Sequence, residues 1–122
     1  MKIKPLLWIG SSKKDLLEFT EDIRSQVGYA LYLAQTGEHY VHSKVLKGFA
    51  GAGVIEIIAS NESGTFRVVY TVKMPKAVFV LHAFQKKSKH GIKTPQQEIE
   101  LVKKRLKEAC EIYKELGYEK KV

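Results

Sequence analysis

The fold is read from one stretch: Phe66-Arg67-Val68-Val69-Tyr70-Thr71-Val72-Lys73, Met74-Pro75-Lys76, then Ala77-Val78-Phe79-Val80-Leu81-His82-Ala83-Phe84. Side chains alternate along an extended chain, so Phe66, Val68, Tyr70 and Val72 share one face. Arg67, Val69, Thr71 and Lys73 share the other. Proline fixes φ and cannot donate to a ladder, so Met74-Pro75-Lys76 reads as a turn. The second run is apolar on both faces, as befits a strand covered on both sides. Upstream, Val54-Ile55-Glu56-Ile57-Ile58 is rich in β-branched residues, and Asn61-Glu62-Ser63-Gly64 after it has turn composition. Three consecutive strands joined by short turns predict an antiparallel meander.

Helical patterns flank this core. Residues 3–9 read as a first, edge strand, and Ser11 or Ser12 can cap a helix directly after it. Leu16, Phe19, Ile23, Val27, Ala30, Leu31 and Ala34 then recur at three- and four-residue steps. That is the stripe of an amphipathic helix, or of two nearly continuous ones. Gly28 costs about 1 kcal/mol against alanine within such a helix, so a kink or close packing is expected there. Gly37 suits a left-handed C-cap. Residues 38–53 read as a turn-rich loop. His39 and His42 lack helical metal spacing, and Gly48, Gly51 and Gly53 lack the strand–turn–helix context of a dinucleotide fingerprint. Thr94 as cap and Pro95 as first residue open the last helix. Its apolar face is Ile99, Val102, Leu106, Ala109, Tyr113 and Leu116. The expected fold is therefore α+β, one domain over residues 1–122. Two N-terminal helices pack on a small twisted antiparallel sheet, with a helix at the C-terminal end.

Composition narrows the function classes. With 44% hydrophobic residues the chain can bury a core, which argues against disorder. No run approaches the roughly 18 apolar residues of a membrane span. The apolar stretch near the start is too short for a signal sequence, so a cytoplasmic location without membrane contact is expected. The single cysteine, Cys110, excludes an internal disulfide and reads as a buried or half-buried core thiol. The formal net charge of +8 points to an anionic partner. Between Lys73 and Lys93 lie six lysines and no acidic residue. A segment of one sign repels itself and has a polyanion to meet.

The segment Leu81 to Pro95 carries the candidate chemistry. A central strand ends in His82 and Phe84 and enters the cluster Lys86, Lys87, Lys89 and Lys93. Lysines neutralise phosphates, and an aromatic face can stack an unpaired base for roughly 1–3 kcal/mol. Each member also has a structural reading. His82 can be a satisfied core histidine and Phe84 a core aromatic. Arg67 can pair with Glu56 across the hairpin, and the lysines can simply be solvated. Tyr70 can be core with its hydroxyl at the rim. Lys44 and Lys47 are solvated or phosphate-facing.

Taken in order, Gly28-Tyr29-Ala30-Leu31, Ala34-Gln35-Thr36-Gly37, Lys47-Gly48, Val54-Ile55-Glu56-Ile57, Phe66-Arg67-Val68-Val69-Tyr70, Leu81 to Lys87 and Lys93-Thr94-Pro95 resemble a known family. It is the HigB-like, phage-associated branch of the RelE/ParE toxin superfamily, and the resemblance spans nearly the whole chain. The resemblance implies the toxin of a type II toxin–antitoxin pair, acting as an mRNA interferase. Such an endoribonuclease cuts mRNA in the ribosomal A site and is neutralised by an antitoxin, commonly a helix-turn-helix protein. The alternative within the superfamily is a ParE-like toxin that inhibits DNA gyrase without chemistry.

Cleavage of this kind is attack by the RNA 2′-hydroxyl on the adjacent phosphorus. It requires no metal, cofactor or protein nucleophile, only orientation, charge stabilisation and proton transfer. Arg67 would stabilise the phosphoryl oxygens, His82 would move protons, Lys86 would hold a phosphate, and Tyr70 would orient the sugar or stack. Lys47, Phe84, Lys87, Lys89 and Lys93 would bind RNA. No histidine–aspartate end, used by some HigB proteins, is matched near the C-terminus. The nuclease reading demands that the cationic groups converge on one surface. Scatter of these side chains over unrelated faces, or their pinning in pairs with acidic neighbours, would end it.

Overall fold

The computed structural model describes residues 2–49, 51–86 and 94–118. In chain order the elements are β1 (Leu6–Trp8), α1 (Ser12–Leu17), α2 (Glu21–Gln35), β2 (Ser43–Val45), β3 (Val54–Asn61), β4 (Gly64–Thr71), β5 (Val78–Lys86) and α3 (Gln96–Glu115). The five strands form one sheet in the order β1-β5-β4-β3-β2. The α+β class stands, but the sheet is mixed. β1 lies parallel to β5, with Leu6 beside Val78 and Trp8 beside Val80, while the other pairings are antiparallel. β2 is not among the strands expected from the sequence. Its three residues pair with Ile55, Glu56 and Ile57, which makes an edge strand of part of the expected loop. Among the described residues, no helix is long and apolar enough to cross a membrane.

The alternation of β4 divides the core as its sequence dictates. Phe66, Val68 and Tyr70 join Ile55, Ile57, Val78 and Val80 on one face, under Leu16, Phe19, Ile23, Val27 and Leu31 from α1, α2 and the short connection between them. Val54, Val69, Phe79 and Leu81 pack on the other face against Val102, Ala109 and Tyr113 of α3. Each aliphatic side chain buried this way contributes about 1.5–3 kcal/mol. α2 runs unbroken through Gly28, where an added Cβ would meet nothing within 4 Å, so neither a kink nor close packing explains that glycine. Gly37 closes the helix with φ +89°, the left-handed conformation expected of it.

One irregularity governs where the polar side chains go. β5 slips by one residue between its pairings with Val69 and Tyr70: Val69 faces His82, but Tyr70 faces Val80. Leu81 is the extra residue of a β-bulge, and it packs on the α3 face. Unbroken alternation would have put His82, Phe84 and Lys86 on the face of Val78 and Val80. The bulge transfers all three to the face of Arg67.

Tyr70, expected at the site, is fully buried on the opposite face among Ile55, Val68 and Val80. Burial pushes its phenol up to about 12. Its hydroxyl has no hydrogen-bond partner among the described residues. Tyr70 is a core residue, and a buried donor without a partner is a cost to the fold. Tyr70→Phe is therefore expected to leave stability unchanged or raise it by about 1 kcal/mol. Urea unfolding of the two proteins is the check, and a clear loss in the variant would contradict this account.

Candidate functional site

The polar half of the α3 face is built around Glu56. In a strand that otherwise reads Val-Ile-x-Ile-Ile, this carboxylate has 0% exposure. Its Oε1 accepts a hydrogen bond from Arg67 Nη1 at 2.8 Å and lies 3.8 Å from Lys44 Nζ. Its Oε2 accepts from Thr94 Oγ1 at 2.8 Å. The register explains the grouping. Lys44 stands directly across from Glu56 on β2, and Arg67 on β4 is its diagonal neighbour. Arg67 in turn faces Phe84, and Thr65 faces Lys86. Arg67 is 3% exposed and Lys86 9%.

Three cations, Lys44, Arg67 and Lys86, lie around the carboxylate of Glu56. Burial first, and then the Arg67 guanidinium, hold the Lys86 amine below the usual lysine value, while Glu56 pulls the other way. Water would solvate an isolated lysine far better. Such placement opposes stability, and groups shifted in this manner are enriched at functional sites.

A second network sits beside the first. His82 Nε2 lies 2.6 Å from Glu98 Oε2, and its Nδ1 lies 3.3 Å from Arg105 Nη1. A guanidinium can only donate, so Nδ1 is the bare nitrogen and the ring proton on Nε2 goes to the carboxylate. Arg105 also donates to the Leu81 carbonyl at 3.0 Å and to Ser11 Oγ at 3.2 Å. A Cβ at Gly10 would come within 2.9 Å of this guanidinium, so the glycine (φ +55°) makes room for it. The Phe84 ring stacks on His82 at 4.8 Å.

The model of one protein family, described as phage derived protein Gp49-like (DUF891), matches residues 14–107, which include every residue of both networks except Gly10 and Ser11. The chain belongs to this family. Gp49-like proteins are phage-derived and known as RelE/HigB-like toxins, which makes an antitoxin the implied partner. No curated protein matches the sequence.

Against the sequence-based expectations for a Gp49-like toxin, the outcome is divided. Arg67, Phe84 and Lys86 do converge on one face, with Lys44 added. His82 shares that face, but both ring nitrogens are engaged and the residue is buried. It ties β5 to α3, and in this arrangement neither ring nitrogen is open to a substrate. Arg67 is pinned by Glu56, the condition that counts against a simple phosphate clamp. Phe84 is half-buried, with one ring face already given to His82. Lys47 is exposed just after β2. Lys87, Lys89 and Lys93 lie outside the described residues.

From the sequence, Glu56 is expected only as a partner for Arg67. Its signal is a lone acid inside an apolar run, a residue type almost never fully buried without partners. Thr94 does not cap α3 as its position suggests. The helix instead starts at Gln96, and the Thr94 hydroxyl is spent on Glu56. Glu98 and Arg105 flank the apolar stripe of α3 by one position each, which is why they reach the sheet.

Because Glu56 is fully buried, Arg67→Ala strands a carboxylate and is expected to cost about 3–5 kcal/mol. Replacing both partners, Glu56→Leu with Arg67→Met, should recover most of that loss in urea unfolding. Equal instability of the single and double variants would mean that stranding of Glu56 is not the cause.

Proposed function

We propose that this protein is a toxin that cleaves mRNA in the ribosomal A site, neutralised in the cytoplasm by a cognate helix-turn-helix antitoxin. The observation that carries the reading is the desolvated pair of cations, Arg67 and Lys86, held side by side on the sheet face. A phosphoryl transfer uses such a pair to stabilise the charge that develops on the phosphoryl oxygens. In the reaction, the RNA 2′-hydroxyl gives its proton to solvent and bonds to the neighbouring phosphorus as the bond from phosphorus to the 5′-oxygen breaks. The products are a cyclic phosphate and a free 5′-hydroxyl.

Arg67, its fork oriented by Glu56, presents donors to the phosphoryl oxygens where charge develops. Lys86 takes the proton-donor role in place of His82. An amine below the usual lysine value delivers a proton to the leaving oxygen more readily than an ordinary lysine. Lys44, half-exposed at the edge of the cluster, adds a phosphate contact. Phe84 offers the edge of an aromatic surface to a base, and Lys87, Lys89 and Lys93 extend the cationic tract.

A second reading has its own observation. Arg67 is almost inaccessible and ion-paired, as a purely structural guanidinium would be. That suits a ParE-like toxin that acts on gyrase by protein contact alone.

Lys86→Met separates the two readings, because it should not unfold the chain. With the folded value of Lys86 lowered, the unfolded state binds more protons between the two values. The penalty is full below the folded value and fades as pH rises from the folded value to the unfolded one. Lys86→Met is therefore expected to raise Tm at pH 7 and to flatten that rise at alkaline pH. The same substitution should abolish growth arrest and the A-site cuts seen by primer extension. Arrest that persists in the variant, with DNA-damage signalling and no cuts, would favour the gyrase reading.

A further inference from the structure

The cationic cluster opens on two sides, and the two differ in charge. On the β5 side lies a cavity of about 690 Å³, where Asp15, Glu18 and Glu98 face His82, Phe84 and Lys86. Three carboxylates repel a phosphate. On the β2 side lies a groove of about 410 Å³ between the strand and the first turns of α3. Its described lining holds three lysines, Lys44, Lys47 and Lys103, and no carboxylate. Its floor includes Leu46, which belongs to the α3-side core, and the half-buried Ile99.

We infer that this groove is a subsite for one ribonucleotide, with the base against Leu46 and Ile99 and the phosphate among Lys44, Lys47 and Lys103. The inference rests on the RNA reading above and names where the chain leaves the cluster. Three features select a nucleotide. The groove falls within the size range of small-ligand sites. It combines an apolar floor with a cationic rim, the pairing that a flat base with an anionic phosphate requires. It also shares Lys44 and Thr94 with the Glu56 cluster, so a strand seated on the cluster continues into it without a break. Lys103 has an exposed partner, Glu100, at 3.7 Å, an ion pair of little net worth that a phosphate can replace. The Gln96 carboxamide in the groove lining supplies preference among bases.

The test uses the full chain with methyl-labelled leucine and isoleucine and three probes: adenosine 5′-monophosphate, inorganic phosphate and a hexaglutamate peptide. The nucleotide is expected to shift the Leu46 and Ile99 methyl signals, and phosphate alone to leave them in place. Lys47→Glu with Lys103→Glu should weaken binding of a short single-stranded RNA by about tenfold or more and lower its salt slope by about two. Methyls that stay unmoved by the nucleotide and by the RNA overturn the subsite. So does tighter binding of hexaglutamate than of the nucleotide, which would make the groove a seat for an acidic protein segment. Failure of the underlying reading looks different: the methyls respond to RNA, yet no message is cut. Cuts without a methyl response remove the subsite and leave the nuclease.

Discussion

A carboxylate with no access to water must be satisfied where it stands, and the arrangement around Glu56 follows from that requirement. Its two oxygens draw a guanidinium from β4, an ammonium from β2 and a hydroxyl from the approach to α3. Three separate parts of the chain are thereby fixed to one point of the sheet. An ion pair in such a place is a poor source of net stability, because the desolvation of both partners offsets most of their attraction. Its worth lies in geometry. A guanidinium gripped by a buried acid has one orientation, and catalysis on a phosphate needs donors set in advance.

The face that holds this cluster is divided along its length. Toward the turn between β4 and β5, α3 covers the sheet with Val102, Ala109 and Tyr113, and the Tyr113 hydroxyl accepts from the backbone of Lys76 at 3.2 Å. Toward the start of α3 the apolar contacts thin to the half-buried Ile99, and Glu56, Arg67, His82, Phe84 and Lys86 take over. One helix thus seals half of a sheet face and leaves the other half to charge. The His82–Glu98 and Arg105 contacts sit at the seam. They hold the first half of α3 to β5.

Much of this is legible in the residues. The alternation of β4 assigns Phe66, Val68 and Tyr70 to one face and Arg67 and Val69 to the other, and the sheet keeps that division. The possible Arg67–Glu56 pairing comes from two strands and a turn. The bulge is not legible, since an all-apolar run such as Val78 to Leu81 carries no phase to betray a one-residue slip. Without that slip, His82 and Lys86 cannot be placed relative to Arg67. The parallel partnership of β1 and the three residues of β2 are hidden for a related reason. Strands this short are defined by their neighbours rather than by their own pattern. The role of Tyr70 fails on chemistry: a tyrosine sharing a face with valines follows them into the core even at the cost of its hydroxyl.

The same slip bears on how the site came to be compatible with a stable fold. Residues 82, 84 and 86 would meet the packed α1–α2 face if the strand kept its phase. One inserted residue moves them to the face where Glu56 already stands. Glu56 then offsets part of the repulsion between Arg67 and Lys86, enough for both to be buried and too little to make Lys86 an ordinary lysine. A stronger acid cluster would stabilise the sheet and cancel the positive field. A weaker one would expel Lys86 to solvent, where its amine would regain its usual proton affinity. Glu56, the buried carboxylate among the described residues, lies between these limits, and the reactivity proposed for Lys86 follows from that placement.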